Sequence, residues 1–269
     1  MSAGAALAVL GDPLAYTRSP ELHRAGLAHL GLTGSSEALR TPPGDLAGRL
    51  HDLAARGYRG VNLTSPLKQA VIPLLARVSP AAQRARSVNT VGFAPDGWWG
   101  DTTDGQGFLD LLATLRRDPA RARVLFLGAG GAARSLALAL VEAGASDVVA
   151  AARDVTAATE AWRGIPGNRV VAWEGEEVRS VRTLADLLIR AVPGEVEVGN
   201  DWPRSAGALC MDLSYGPEPT PWTRAARARG FEAYDGLGLL VFQARISLSL
   251  WFSRPVPVDP LARTVGWPR

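Results

Sequence analysis

Arg123-Val124-Leu125-Phe126-Leu127-Gly128-Ala129-Gly130-Gly131-Ala132-Ala133-Arg134 carries the strongest structural signal in this chain. Val124–Leu127 is an apolar run of strand length, and the glycines after it break the run sharply. Helical spacing then carries on over Arg134–Ala143, Gly144 stops it, and Val148–Ala152 reads as a second strand. This is the order of a βαβ unit. Its turn matches G-x-G-x-x-G/A, with Gly128 for the tight turn, Gly130 for close backbone approach to a pyrophosphate, and Ala133 where helix packs on strand. The helix N-terminus would present free N–H groups to phosphate oxygens. The pattern predicts a Rossmann-type dinucleotide-binding domain. The competing reading is a tight glycine turn that binds nothing.

On either side of this unit, strand-like runs alternate with helix-like segments. Ala6–Leu10 and Tyr58–Leu63 read as strands, and Pro20–Leu30 as a helix, with another helix expected from Pro66. Val88–Phe93 and Trp98–Gly100 form a hairpin pattern around Pro95-Asp96-Gly97. Gly105–Leu115 is helical by its leucine spacing, Leu187–Val192 and Leu209–Leu213 read as further strands, and Leu237–Phe252 as a helix. The expected architecture is α/β. An N-terminal substrate domain with a mixed sheet spans 1–104, the Rossmann domain 105–236, and a C-terminal helical segment, 237–269, returns to the first domain.

Composition narrows the function. The 269 residues hold 29 Lys and Arg against 26 Asp and Glu, a net charge of +3. The basic residues are dispersed, so a nucleic-acid surface is not expected. No apolar stretch approaches the roughly 18 residues of a membrane span, and Met1–Leu10 lacks the basic start of a signal peptide. The single cysteine, Cys210, lies in an apolar run and reads as a buried thiol in a reducing compartment. A cytoplasmic protein acting on a small molecule is expected, as a monomer or homodimer and without a metal site.

Of the 29 basic residues only Lys68 is a lysine. Arginine does not give up its proton in a protein, whereas lysine does when its surroundings lower its pKa. A chain that uses arginine elsewhere and keeps one lysine marks that site for proton transfer. In Asn62-Leu63-Thr64-Ser65-Pro66-Leu67-Lys68, Ser65 reads as a helix N-cap and Pro66 as the first helical residue. Lys68 would then face the positive end of a helix dipole, which disfavours its charged form. The plainer alternative is a lysine whose stem snorkels to solvent. Asp104 reads either as a helix cap or as the partner of Lys68.

Taken together these segments resemble the shikimate dehydrogenase family. The resemblance runs through Gly11–Pro20, Gly60–Lys68, Ser87–Thr90, Thr103–Gly105, Gly128–Ala132, Asp212–Pro217 and Gly236–Gln243, in that order. It implies the reversible reduction of 3-dehydroshikimate to shikimate with NADPH, and Lys68 and Asp104 as the catalytic pair. It places Thr17, Ser19 and Tyr215 at the substrate carboxylate, and Thr64, Asn89 and Gln243 at the ring hydroxyls. The cofactor-binding positions it implies are Gly128, Ala129, Gly130, Gly131, Ala132, Arg153, Asp154, Leu213 and Gly236. The chain departs from the family pattern at Tyr16, Thr17 and Thr102. It departs more at Ala152-Arg153-Asp154, where a carboxylate would repel a 2′-phosphate, and at Arg190-Ala191-Val192, which adds a charge near the nicotinamide. NADP is the implied cofactor, with NAD possible. An NAD-preferring quinate or shikimate dehydrogenase and a non-catalytic ligand-binding relative are the alternatives.

Overall fold

A computed structural model describes residues 5–14, 16–192, 194, 202–205 and 207–269, so Met1–Gly4 and Ala15 of the Gly11–Pro20 motif lie outside the described residues. The chain divides into two compact units, residues up to Gly107 with Leu240–Pro268, and Phe108–Leu239.

The first unit is built on a mixed sheet. Its strands are β1 (Ala5–Gly11), β2 (Gly34–Arg40), β3 (Tyr58–Leu63), β4 (Arg77–Val78), β5 (Thr90–Gly92) and β6 (Trp99–Asp101). They lie in the order β2-β1-β3-β5-β6-β4. β1 runs parallel to β2 and β3, whereas β5 is antiparallel to both β3 and β6. The β5–β6 hairpin turns at Gly97, whose φ of 118° only glycine adopts readily. Helices α1 (Ser19–His29), α2 (Leu46–Ala55), α3 (Leu67–Ala70), α4 (Pro80–Ala85) and the first turn of α5 (Asp104–Thr114) connect the strands or follow them. One face buries Leu10, Leu46, Leu50, Leu53, Val61, Leu67, Val88 and Val91. Each such side chain contributes roughly 1.5–3 kcal/mol by leaving water.

The second unit is a fully parallel sheet of β7 (Arg123–Leu127), β8 (Asp147–Ala152), β9 (Asn168–Ala172), β10 (Leu187–Arg190), β11 (Leu209–Asp212) and β12 (Glu232–Tyr234). The order β9-β8-β7-β10-β11-β12 is the doubly wound Rossmann order, with its switch point between β7 and β10. Helices α6 (Gly131–Glu142), α7 (Val155–Trp162), α8 (Glu176–Leu184) and α9 (Pro221–Ala228) belong to it. Cys210 is fully buried here, and burial pushes its thiol up to about 12, as an inert core residue should be.

The chain ends with α10 (Leu237–Phe252) and α11 (Val258–Val265). In the first unit, Gly60 lets Trp251 of α10 lie on the sheet. A Cβ at Gly60 would stand 2.3 Å from Trp251 Nε1, and that nitrogen donates to Val91 O at 2.9 Å.

Two expectations need correction. The helix from Pro66 is a single turn, Leu67–Ala70, and its N-cap is Pro66, not Ser65. It passes at once into a 3₁₀ turn containing Pro73, which cannot extend an α-helix. One turn sums few peptide dipoles, so the macrodipole argument for Lys68 loses its basis. Helix α6, by contrast, starts at Gly131, three residues earlier than the sequence spacing suggests.

Candidate active site

In the first unit the sheet topology gathers the site. The C-terminal ends of the parallel β1 and β3 lie side by side, and the antiparallel pairing sets Asn62 opposite Thr90 and Thr90 opposite Asp101. The segments carrying Thr17, Ser19, Thr64, Lys68, Asn89 and Asp104 all leave this one edge.

Lys68 Nζ donates to Asp104 Oδ2 at 2.5 Å. The Lys68 and Asp104 side chains are only 15% and 6% exposed, which decides against a lysine snorkelling to solvent. Asp104 is the first residue of α5, yet its carboxylate turns to side chains: its other oxygen, Oδ1, accepts from Asn89 Nδ2 at 2.8 Å. Asn89 is buried, and its amide also reaches Gln243 Oε1 at 3.2 Å. Gln243 sits on α10 close to α5 because Gly107 has no side chain; a Cβ there would be 2.8 Å from Gln243 N. Gln243 is buried. Thr17 and Ser19 form a pair at the start of α1, Oγ1 to Oγ at 3.2 Å. Thr64 follows β3, with its backbone N–H bonded to Leu10 O. Tyr215 belongs to the second unit, in the segment after β11.

Sequence reasoning missed Asn62, Thr90, Thr103 and Ser247, which are buried and hydrogen-bonded to Asn89 or to one another. The available signal was polarity out of place. Asn62 interrupts an apolar strand, and Ser247 an apolar helix.

The second unit builds its candidate site from backbone. Gly128 ends β7 at φ 113°, and a Cβ there would stand 2.7 Å from Val192 Cγ1 and 2.8 Å from Ala191 O. Gly130 caps α6, and a Cβ on it would meet open space. Trp162 Nε1 ties the turn down through Ala129 O at 3.1 Å. A cavity of about 780 Å³ lies at this edge, lined by Gly128, Ala129, Ala151, Ala152, Arg153, Asp154, Trp173 and Val192. The bare turn and the N-terminus of α6 fit a dinucleotide pyrophosphate. Gly131 and Ala132 open α6. Gly236 packs on Leu213, where a Cβ would strike the Leu213 carbonyl at 2.2 Å. Asp154 is also the N-cap of α7, one oxygen accepting from Ala157 N at 2.9 Å.

Arg190 does not add a free charge at the cavity. It is buried and paired with Asp212 on the adjacent strand, Nη1 to Oδ1 at 3.0 Å. Arg190 and Asp212 are register partners on β10 and β11, so the guanidinium is neutralised inside the sheet.

A mixed-sheet unit with a buried lysine–carboxylate pair, joined in one chain to a Rossmann sheet, defines a two-domain protein of the dinucleotide-binding α/β class. The sequence model described as Shikimate dehydrogenase substrate binding domain matches residues 9–91. The shikimate dehydrogenase (NADP(+)) of Moorella thermoacetica is 37% identical over 96% of this chain and 92% of its own. The crystal structure of the Thermus thermophilus shikimate 5-dehydrogenase in complex with NADP(H) and shikimate matches with a TM-score of 0.83 at 34% identity, covering 97% of this chain and 98% of that one. The 5-ketofructose reductase of a Gluconobacter strain is also similar, at 28% identity, a TM-score of 0.82 and 99% of each chain. The chain belongs to the shikimate dehydrogenase family. Among the described residues no helix is long and apolar enough to cross a membrane.

Proposed function

We propose that this chain catalyses the reversible NADPH-dependent reduction of 3-dehydroshikimate to shikimate, in the cytoplasm, with Lys68 and Asp104 as the catalytic pair. The observation that carries the reading is the 2.5 Å contact between the only lysine and a carboxylate that Asn89 holds from its other side. When bound, the nicotinamide supplies a hydride to the carbonyl carbon. Lys68, as its ammonium form, gives a proton to the carbonyl oxygen, and Asp104 orients that ammonium and balances its charge. In the reverse direction the amine takes the proton back from the carbinol. Thr17, Ser19 and Tyr215 hold the ring carboxylate, and Thr64, Asn89 and Gln243 its hydroxyls. Gly128–Ala132 and the first turn of α6 hold the pyrophosphate, Arg153 and Asp154 the adenosine end, and Leu213 and Gly236 complete the cofactor site.

The deciding experiment is a panel of shikimate, quinate and 5-ketofructose against both nicotinamide cofactors. Shikimate with NADP should give the highest kcat/KM. Binding of shikimate without turnover by either cofactor would establish a ligand-binding relative instead. A second reading on the cofactor rests on Asp154. Its carboxylate lines the cavity, where it opposes a 2′-phosphate and can accept from a ribose hydroxyl as in NAD sites. The kcat/KM ratio of NADPH over NADH should therefore stay below about 10³, some 4 kcal/mol of discrimination.

A further inference from the structure

Behind Asn89 a file of buried polar groups runs across the first unit, and two backbone groups fix its direction. The Thr103 N–H can only donate, and it reaches Asn89 Oδ1 at 2.8 Å. Asn89 therefore aims its NH₂ at Asp104. The Asn89 carbonyl can only accept, and it takes Asn62 Nδ2 at 2.9 Å. Asn62 therefore aims its Oδ1 at His23 Nε2, 2.9 Å away. That contact requires a proton on His23 Nε2, which leaves Nδ1 to accept from Ser36 Oγ at 2.8 Å. Full burial lowers His23 to about 4, in keeping with this neutral ring.

Between the two amides stands Thr90. Its Oγ1 accepts from Asn62 Nδ2 at 3.1 Å and, with Ser247 Oγ donating to it at 2.8 Å, gives its own proton to Asn89 Oδ1 at 3.0 Å. The bonds then point one way, from Ser36 through His23, Asn62, Thr90 and Asn89 to the Asp104 carboxylate. Hydrogen bonds in line polarise one another, and each strengthens the next. The last donor meets an ionised acceptor, where such bonds are strongest. The charged group on Asp104 is Lys68, and the charged group beside His23 is Arg24.

We infer that Thr90 is a positioning residue for proton transfer: its hydroxyl joins the buried His23–Asn62 pair to Asn89, and so holds Asp104 against Lys68. This rests on the assignment of Lys68 and Asp104 as the catalytic pair. Thr90 does not touch the reacting atoms and acts through Asn89.

The test uses Thr90→Val, which keeps the shape and removes the hydroxyl, Thr90→Ala as a second deletion, and Thr90→Ser as the rescue. Two readouts are taken on the full chain. In turnover, Val and Ala should each lower kcat about tenfold, the scale of one hydrogen bond, with a smaller change in KM, and Ser should restore it. The second readout needs no substrate. Because Lys68 is the only lysine, lysine labelled with heavy nitrogen at Nζ gives a single ammonium signal by nuclear magnetic resonance. Its proton exchange with water should quicken in Val and Ala and return to the original rate in Ser. Unchanged kcat and exchange in a folded Val or Ala variant would overturn the inference, as would a Ser variant no better than Val. If the parent protein turns over none of the panel substrates, the functional reading fails, and the exchange measurement still decides whether Thr90 positions the pair.

Discussion

The two units build their sites from opposite materials. The first uses side chains brought from distant parts of the chain: Lys68, Asn89, Asp104 and Gln243 meet within hydrogen-bonding distance of one another. The second uses one contiguous turn whose side chains have been pared away, Gly128 to Gly131, with the N-terminus of α6 behind it. The difference fits what each is proposed to do. A pyrophosphate is met by backbone N–H groups, which every residue has, so the requirement is an absence of side chains. A proton transfer needs a group of the right pKa at one point, so the requirement is identity.

The contrast predicts that a conservative side-chain change ruins the first site, whereas in the second the harm comes from adding atoms. Lys68→Arg keeps the charge on a somewhat longer side chain but cannot give up its proton, so kcat should fall by roughly 10²- to 10⁴-fold, the usual contribution of a general acid or base. Steady-state kinetics beside a melting curve checks this, and near-normal turnover would break the comparison. The Arg190–Asp212 pair is a buried side-chain feature of the second unit that carries no assigned chemistry. Asp212→Ala strands its guanidinium and should cost about 3–5 kcal/mol in urea unfolding, while kcat of the folded fraction should change little.

The buried imidazole adds a pH dependence. His23 falls from its ordinary 6.5 to about 4, with desolvation by burial the first cause. Between those values the unfolded chain binds the extra proton. His23 therefore contributes its full stability above pH 6.5, and this is lost as pH falls toward 4, about 3 kcal/mol in all. Unfolding free energies at pH 7 and near pH 4, for the parent and His23→Gln, separate this from the carboxylates. An equal acid loss in both would refute it. Smallest, Gly128→Ala should cost about 1–3 kcal/mol, since alanine is strained at φ 113° and its Cβ meets Ala191 and Val192. It should weaken dinucleotide binding by titration while leaving shikimate binding intact.

The same contrast explains what could be read in advance. β7, β8, β10 and β11 are buried on both faces and appear as apolar runs, and so does β1. β2, Gly34–Arg40, was invisible, because this edge strand buries only Ser36 and shows neither an apolar run nor apolar alternation. β9 and β12, at the two edges of the second sheet, were missed as well. Arg190 was misread as a charge in the site because its partner lies 22 positions away on the next strand. Nothing local in the sequence says that Gly107 admits α10 so closely that Gln243 meets Asn89.

The βαβ turn and the single lysine are legible in the chain before it folds. Both are local facts: glycines permit a backbone geometry wherever they stand, and a lysine among arginines is visible by counting. That Lys68 faces Asp104, that Asn89 aims its amide at that carboxylate, and that a file of donors from Ser36 stands behind it, emerges only in the fold. These depend on which strands lie side by side and which way they run. Hydrogen bonds act over about 3 Å, and no local pattern in a chain says which distant groups will come that close.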